Sequence, residues 1–376
     1  MTYLYPTYET YHVTSLNNSG VGTFRDAIES ASGFPRFVLF DVGGYINLQT
    51  SVYLSKPNIY ILGESAPSAI TIRAGLDVEN KPTLLQIGRT NPFVAPHDVI
   101  VRNLRLRIGD DSDENGSAIF VWGGHDIVVD HCSFEWCNDN LVTLWLASGD
   151  ASIYNITIQR CIFAEPFAGH PTALAIHGDF DFGEIPDDTY KSVYNISVHH
   201  NLFAGFSHRS PLSRSGGVEF VNNVIYNFDY YTFQPSADDI SDFVGNFIKC
   251  GPQSPLNTRT GWFYQYYDNG CSVPASIYLI GNHIDGLEDG DNWLNMCKWI
   301  DESTNEALSD VHRRLTRMDQ PANPVTVQSA ADVYEDVLTD CGATPRDSLD
   351  SRIVAEVRAG TGISSYRVSV AEAGGW

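Results

Sequence analysis

The feature that most constrains the fold of this chain is a short unit that recurs from residue 58 onward. Each copy is a β-branched strand followed by a polar corner, as in DIVVDHCSF, NITIQRCIF and NISVHHNLF. One apolar position anchors each copy: Ile61, Val101, Val129, Ile158, Val198, Phe220, Phe243 and Leu279. The anchors are about 22 to 40 residues apart, which is typical of a coil whose strands stack while its loops differ in length.

Two further columns follow from this alignment. Three positions past the anchors stand Cys132, Cys161, Asn201, Asn223, Asn246 and Asn282, and five positions past them stand Phe134, Phe163, Phe203, Ile225, Ile248 and Ile284. Stacked asparagines predict an internal ladder of side-chain amides at a bend, and the apolar column predicts core. We therefore predict an all-β fold, a single-stranded right-handed parallel β-helix. An antiparallel sandwich would need regular alternation and evenly spaced hairpin turns.

The two ends of the chain carry helical patterns. We expect a short N-terminal capping helix near residues 23–31, with Thr23 as its N-cap, on a β-helix that spans residues 1–290. Residues 291–376 are predicted to form a C-terminal helical extension that packs on the coil and is not an independent domain. Ser329 and Asp347 begin its helices, and Gly342 and Gly360 end them.

Charge and hydropathy exclude several classes of partner. The formal net charge is -23, so the protein as a whole repels nucleic acid and anionic lipid. No apolar run approaches the roughly 20 residues of a membrane helix, and the first residues lack the pattern of a signal peptide. The 7 cysteines contain no zinc-like spacing, although Cys250 with Cys271, or Cys297 with Cys341, can pair in an exported protein.

Positive charge is concentrated in one segment of this acidic chain, HRSPLSR at residues 208–214. Ten to twelve positions past successive anchors stand Asp113, Asp139, His170, Arg209 and Tyr231, which predicts one outer column graded from acids to cations to an aromatic ring. A linear polymer of uronic acids fits such a strip, because a carboxylate-bound metal ion can bridge sugar acids and rings can stack on tyrosine. Cations at His170, Arg209 and Arg214 would stabilise the enolate-like intermediate of β-elimination.

The sequence resembles bacterial pectate lyases of the first polysaccharide-lyase family along nearly its full length. The segments that carry the resemblance are TFRDAI, VLFDVGGYINL, PNIYILGESAP, DHCSFEW, HHNLFAGFSHRSPLSR, VEFVNNVIYNF and VQSAADVYEDVL. RSPLSR matches the family motif of an arginine two residues before a proline and a second basic residue three beyond it. The resemblance implies a right-handed parallel β-helix and calcium-assisted β-elimination of polygalacturonate.

Site residues follow from the resemblance position by position. Arg209 resembles the catalytic base, and Arg214 resembles a ligand of the substrate carboxylate, which His170 also faces. Tyr231 and His208 are expected to bind substrate. Asp139, Asp113 and Asp130 are the expected ligands of Ca²⁺. Two departures thin that calcium site, because Ser117 and Asn140 stand where relatives carry acids.

Rival functions remain open from the sequence. A β-helix glycoside hydrolase would need clustered carboxylates at the centre of the column, where this chain has cations. A non-catalytic or tailspike-like carbohydrate-binding β-helix is the alternative from another class. The expected partner is an acidic polysaccharide, with no nucleic acid, no membrane and a monomeric protein. An extracellular or phage-encoded protein fits these expectations.

Overall fold

A computed structural model describes residues 8–75, 82–90, 93–110, 116–146, 152–178, 191–236, 238–254, 274–286, 292–293, 310–319 and 324–376. These residues form three large parallel sheets of ten, nine and seven strands, which the chain visits in turn on each coil. We call them the first, second and third sheet. A parallel β-helix is confirmed. Arg89–Thr90 and Phe93–Val94 add a small antiparallel pair.

The strands are short, as expected where each coil turns three corners. The first sheet contains Glu9–Val13, Arg36–Phe40, Ile59–Leu62, His97–Arg102, Gly124–Asp130, Ile153–Gln159, Val193–His199, Val218–Val221, Ile240–Val244 and Ser276–Ile280. The second sheet contains Gly44–Leu48, Ile70–Ala74, Arg105–Arg107, Ser133–Glu135, Ile162–Ala164, Leu202–Ala204, Val224–Tyr226, Phe247–Lys249 and His283–Ile284. The third sheet contains Val52–Leu54, Leu85–Ile87, Ile119–Val121, Val142–Leu146, Leu174–Gly178, Leu212–Arg214 and Gln234–Pro235.

The predicted register is confirmed at every anchor. The eight anchor residues pair with one another from coil to coil in the first sheet. The apolar column from Phe134 to Ile284 forms consecutive pairs in the second sheet. Nearly all of these side chains are buried in one core, because alternate residues of each strand point into the coil.

The asparagine ladder lies at the bend between the first and second sheets. Asn223 Nδ2 donates to Asn246 Oδ1 at 3.0 Å, and Asn201 Nδ2 donates to Asn223 Oδ1 at 3.0 Å. The same Oδ1 atoms accept the backbone N–H of the coil before. Asn292 extends the ladder past Asn282. Each amide therefore satisfies a buried corner that the strands leave open.

In the described ranges, three α-helices with defined bounds flank the coil. Helix α1 is Phe24–Glu29, and its N-cap Thr23 accepts from the backbone N–H of Asp26, as predicted. Helix α2 is Ala330–Asp340 and follows Ser329. Helix α3 is Ser348–Ala359, between Asp347 and a left-handed Gly360. Short 3-10 helices span Gly63–Ser65 and Asp310–His312.

Helices α2 and α3 pack on the outer side of the second sheet. A buried apolar cluster joins Val333 and Val337 of α2 and Ile353 of α3 to Ile162 of that sheet. Beside this cluster, Arg107 contacts Glu135 at 2.7 Å and Asp350 at 3.0 Å, all nearly or fully buried. Both apolar and ionic contacts therefore hold the extension on the coil. The predicted boundary at residue 290 lies outside the described residues.

Two sequence-level expectations concern thiols and membranes. Cys250 and Cys341 are free thiols, and Cys341 is buried, while their suggested partners Cys271 and Cys297 lie outside the described residues. In the part of the chain that the structure describes, no helix combines the length and the apolarity needed to cross a membrane.

Candidate active site

The loops that lead into the third sheet bring together three of the predicted residues, Asp139, His170 and Arg209. Asp139 lies between a second-sheet strand and Val142–Leu146, and His170 lies at the same place on the next coil. His170 Nδ1 is 2.6 Å from Asp139 Oδ1. The His170 side chain is 39% exposed, whereas that of Asp139 is 16% exposed. A carboxylate in this position fixes the orientation of the imidazole, which stays partly exposed.

Asn140 links this pair to Arg209. Its Nδ2 donates to Asp139 Oδ2 at 3.1 Å, and its Oδ1 accepts from Arg209 Nη1 at 3.2 Å and from Thr172 Oγ1 at 3.0 Å. Asn140 is 4% exposed and Thr172 is fully buried. One buried amide therefore aligns side chains from three successive coils.

The backbone of Arg209 is held in an uncommon conformation. Its φ is 64°, in the left-handed region that non-glycine residues seldom occupy. The carbonyl of Arg209 accepts from Leu174 N at 2.8 Å, and Ser210 N donates to Thr232 O at 2.7 Å. Pairing with both neighbouring coils thus maintains a strained turn at a candidate functional residue.

Arg214 lies in the third sheet and is 5% exposed. It pairs in register with His177, which in turn pairs with Trp145, so the three side chains form one column. The rings of Trp145 and His177 stack at 4.5 Å. Arg214 Nη2 is 3.9 Å from Asp238 Oδ2. The second arginine is therefore packed into a wall of rings and one carboxylate.

Two histidines beside the arginines are held neutral. Burial, Arg214 and Arg209 lower the pKa of His177 well below its ordinary value. Burial, Arg209 and His170 lower the pKa of His208 to about 3. Near neutral pH the His177 and His208 rings therefore add no positive charge to the cationic cluster, which consists of His170, Arg209 and Arg214.

The two predicted substrate-binding residues lie in the cluster but are not presented to solvent in the way the sequence suggested. Tyr231 is 4% exposed, and its ring lies 5.1 Å from that of His208. His208 lies 5.4 Å from the ring of His170. The prediction that Tyr231 lies on an outer face is wrong, because its ring is buried against His208 and Tyr230. Its neighbour Tyr230 is 58% exposed.

Asp130 lies elsewhere. It is the last residue of a first-sheet strand, where Arg102 Nε contacts it at 2.8 Å and His131 Nδ1 at 2.8 Å. Burial alone would raise the pKa of Asp130, but hydrogen bonds from His131 and Gln159 hold this pKa below its ordinary value. The structure does not bring Asp130 to the cluster, since its position one residue past the anchor places it in the strand.

The described residues do not fit a calcium ion. Calcium takes six to eight oxygen ligands, whereas both oxygens of Asp139 are engaged by His170 and Asn140. Ser117 is fully buried and bonds Thr143 at 2.8 Å. Within the described ranges, no group of three or more His, Cys, Asp or Glu side chains could hold a metal ion. Asp113 lies outside those ranges.

Sequence reasoning missed the residues that connect the site. The sequence marks Asn140 only as a departure from an acidic position, and it predicts no role for Thr172, His177 or Trp145. The strand alternation of ALAIHG places His177 on the outer face of its strand, which is a usable signal. The contact between Asn140 and Arg209 depends on loop conformation, and no periodicity encodes it.

The chain is therefore a parallel β-helix protein with a cluster of cations beside its third sheet. No family model matches the chain. It is 28% identical over 359 residues to a probable pectate lyase C of Neosartorya fischeri, covering 93% of this chain and 72% of the relative. A probable pectate lyase C of Aspergillus terreus is 29% identical over 359 residues, covering 93% and 73%. The resemblance to pectate lyases is confirmed.

Solved structures agree on the fold. The major allergen of cedar pollen superposes with a TM-score of 0.61 at 15% identity, over 90% of this chain and 88% of the allergen. A pectate lyase of Bacillus sp. N165 in complex with trigalacturonate has a TM-score of 0.53 at 16% identity, over 89% and 93%. The chain is therefore similar in sequence to probable pectate lyases, and it has the parallel β-helix fold of these solved structures.

Proposed function

We propose that this protein is a polysaccharide lyase that cleaves pectate, or a related polyuronate, by β-elimination. The observation that carries the proposal is the cluster in which Asn140 joins Arg209 to the Asp139–His170 pair. Acidic residues outnumber basic ones by 46 to 23 in the whole chain, so a local set of cations is a selective site for one sugar carboxylate. The names of the relatives support the same substrate class.

The reaction needs a proton removed from the carbon beside the sugar carboxylate. Arg214 and His170 neutralise that carboxylate and stabilise the enolate that forms. The electron pair then forms a carbon–carbon double bond as the glycosidic bond breaks, and the leaving oxygen takes up a proton. We assign the base to Arg209, as the resemblance implies, because Asn140 Oδ1 holds its Nη1 at 3.2 Å and the adjacent His208 ring is neutral.

Substrate contacts and calcium are further parts of this proposal. Tyr230 replaces Tyr231 as the exposed ring on which a sugar can stack, since Tyr231 is buried. A calcium requirement stays a prediction of the resemblance, and no step above depends on it. An acidic polysaccharide outside the cell is the partner that this chemistry implies.

The test is the formation of an unsaturated uronate from polygalacturonate, alginate and related polymers, followed by its ultraviolet absorbance. Arg209→Lys is expected to lose nearly all turnover and keep binding, because a lysine retains charge but not the fork of the guanidinium. Substantial residual turnover would remove Arg209 from the role of base. Binding of every polymer without any rise in absorbance would favour the non-catalytic alternative.

A further inference from the structure

The strand that carries Arg214 is supported unevenly. On one side, Leu212–Arg214 pairs fully with the strand that contains His177. On the other side, the register ends at Ser213 and Pro235. On that side Ser236 N still donates to Ser213 O at 2.7 Å, but the strand pair stops one residue before Arg214. A further support contacts the residues on either side of Arg214.

That support is one buried carboxylate oxygen. Asp239 is fully buried, and its Oδ1 accepts from Ser213 Oγ at 2.6 Å, Ser215 N at 3.0 Å and Ser215 Oγ at 3.2 Å. These donors are the residues immediately before and after Arg214. Asp239 thus binds the hydroxyl of the residue before the arginine, and the hydroxyl and backbone N–H of the residue after it.

The neighbouring residue acts on the other face of the same strand. Asp238 Oδ2 is 3.9 Å from Arg214 Nη2, so of two consecutive carboxylates Asp239 binds the flanking serines and Asp238 faces the guanidinium. Burial raises the pKa of Asp239 to about 6, although hydrogen bonds from Ser213, Ser241 and Ser215 lower it. A buried acid is costly to the fold, and a local task explains its presence better than packing does.

We propose that Asp239 is a positioning residue, which sets the orientation of Arg214 toward the sugar carboxylate by clamping Ser213 and Ser215. This inference rests on the proposed function, in which Arg214 neutralises that carboxylate. Displacement of a charged group by about 1 Å can cost a hundredfold in rate, so the clamp matters even though Asp239 never touches substrate.

A double-mutant cycle separates this role from a general contribution to the core. Asp239→Ala is expected to lower kcat/KM on polygalacturonate about tenfold or more in the native background. In an Arg214→Lys background the same change is expected to alter kcat/KM less than about twofold, because lysine lacks the fork whose orientation the clamp sets. Asp239→Asn keeps an acceptor oxygen and is expected to retain activity within about threefold.

Asp350→Ala is the matched control. Asp350 is also fully buried, but it holds helix α3 on the second sheet through Arg105 and Arg107. Its removal is expected to lower the melting temperature and to change kcat/KM equally in both backgrounds. If Asp239→Ala does not fold, Ser213→Ala and Ser215→Ala are used instead, because each removes one hydroxyl that Asp239 binds. Each is expected to lower kcat/KM in the native background and to leave it unchanged in the Arg214→Lys background.

Three results would overturn the clamp. They are equal losses from Asp239→Ala in both backgrounds, wild-type kcat/KM for the folded variant, and an Asp239→Asn protein as impaired as Asp239→Ala. A wild-type protein that releases no unsaturated product overturns the proposed function instead. The same cycle is then run on affinity for trigalacturonate, where the clamp predicts a loss that depends on Arg214 and a uniform loss would contradict it.

Discussion

Replacing Asn140 by leucine tests the geometry of the site most sharply among single substitutions. Leucine has a similar volume, so the buried position stays filled, but the bridge between Asp139 and Arg209 is removed. A hydrogen bond with a charged donor is worth about 1.5–3 kcal/mol. If that energy orients Arg209 in the transition state, kcat/KM falls about ten- to a hundredfold.

Thr172→Val is the control for this substitution. Thr172 Oγ1 donates to the same Asn140 oxygen, so valine removes a buried hydroxyl and leaves the contact between Asn140 and Arg209 in place. We expect a stability loss of about 1–3 kcal/mol in either variant, measured by thermal unfolding. Initial rates of unsaturated product should fall less than about threefold for Thr172→Val. Equal activity losses in the two variants, or an Asn140→Leu protein as active as wild type, would refute the bridge.

The remaining predictions concern the ladder, pH and calcium. Asn223→Ala leaves several buried partners unsatisfied, among them Val198 O and Asn246 Oδ1. In denaturant titrations it is expected to lower the free energy of unfolding by about 3–5 kcal/mol. A loss below about 1 kcal/mol would contradict a structural role for the ladder. The pKa of His199 is lowered to about 4 and that of His208 to about 3 by burial first of all, from an ordinary 6.5. The unfolded chain therefore binds more protons below pH 6.5, and stability falls as the pH drops from 6.5 toward 4, by up to about 3 kcal/mol for His199. His199→Gln should flatten that slope, and an unchanged slope would contradict a partly buried neutral ring. Chelation is expected to leave measurable turnover, because described side chains supply the positive charge, and complete loss would place the calcium ligands outside the described residues.

The sequence predicted the coil well because stacking makes its geometry periodic. Anchors such as Val129 and Ile158 repeat one position of one strand, and the asparagines repeat one corner, so alignment alone yields the pairing. Helix starts at Thr23, Ser329 and Asp347 were also predicted, since capping depends on a few adjacent residues.

The site was predicted only in part because it is built from loops. The predicted outer column places Asp139, His170 and Arg209 near one another, as the structure does. Its members lie ten to twelve residues past the anchors, and at that distance the strand register does not determine the orientation of a side chain. Tyr231 therefore seemed exposed and is buried. The partners of Arg214 include Asp238, a residue of the next coil whose proximity depends on a short turn.

The central claim is that this cationic cluster breaks a polyuronate chain by elimination. The most direct measurement is the structure of the new chain ends after incubation with polygalacturonate, determined by mass spectrometry and ultraviolet absorbance. We predict unsaturated ends, lighter by one water than hydrolysis products, and their disappearance in Arg209→Lys. Saturated ends from the wild-type protein, or unsaturated ends from Arg209→Lys at the wild-type rate, would contradict the account.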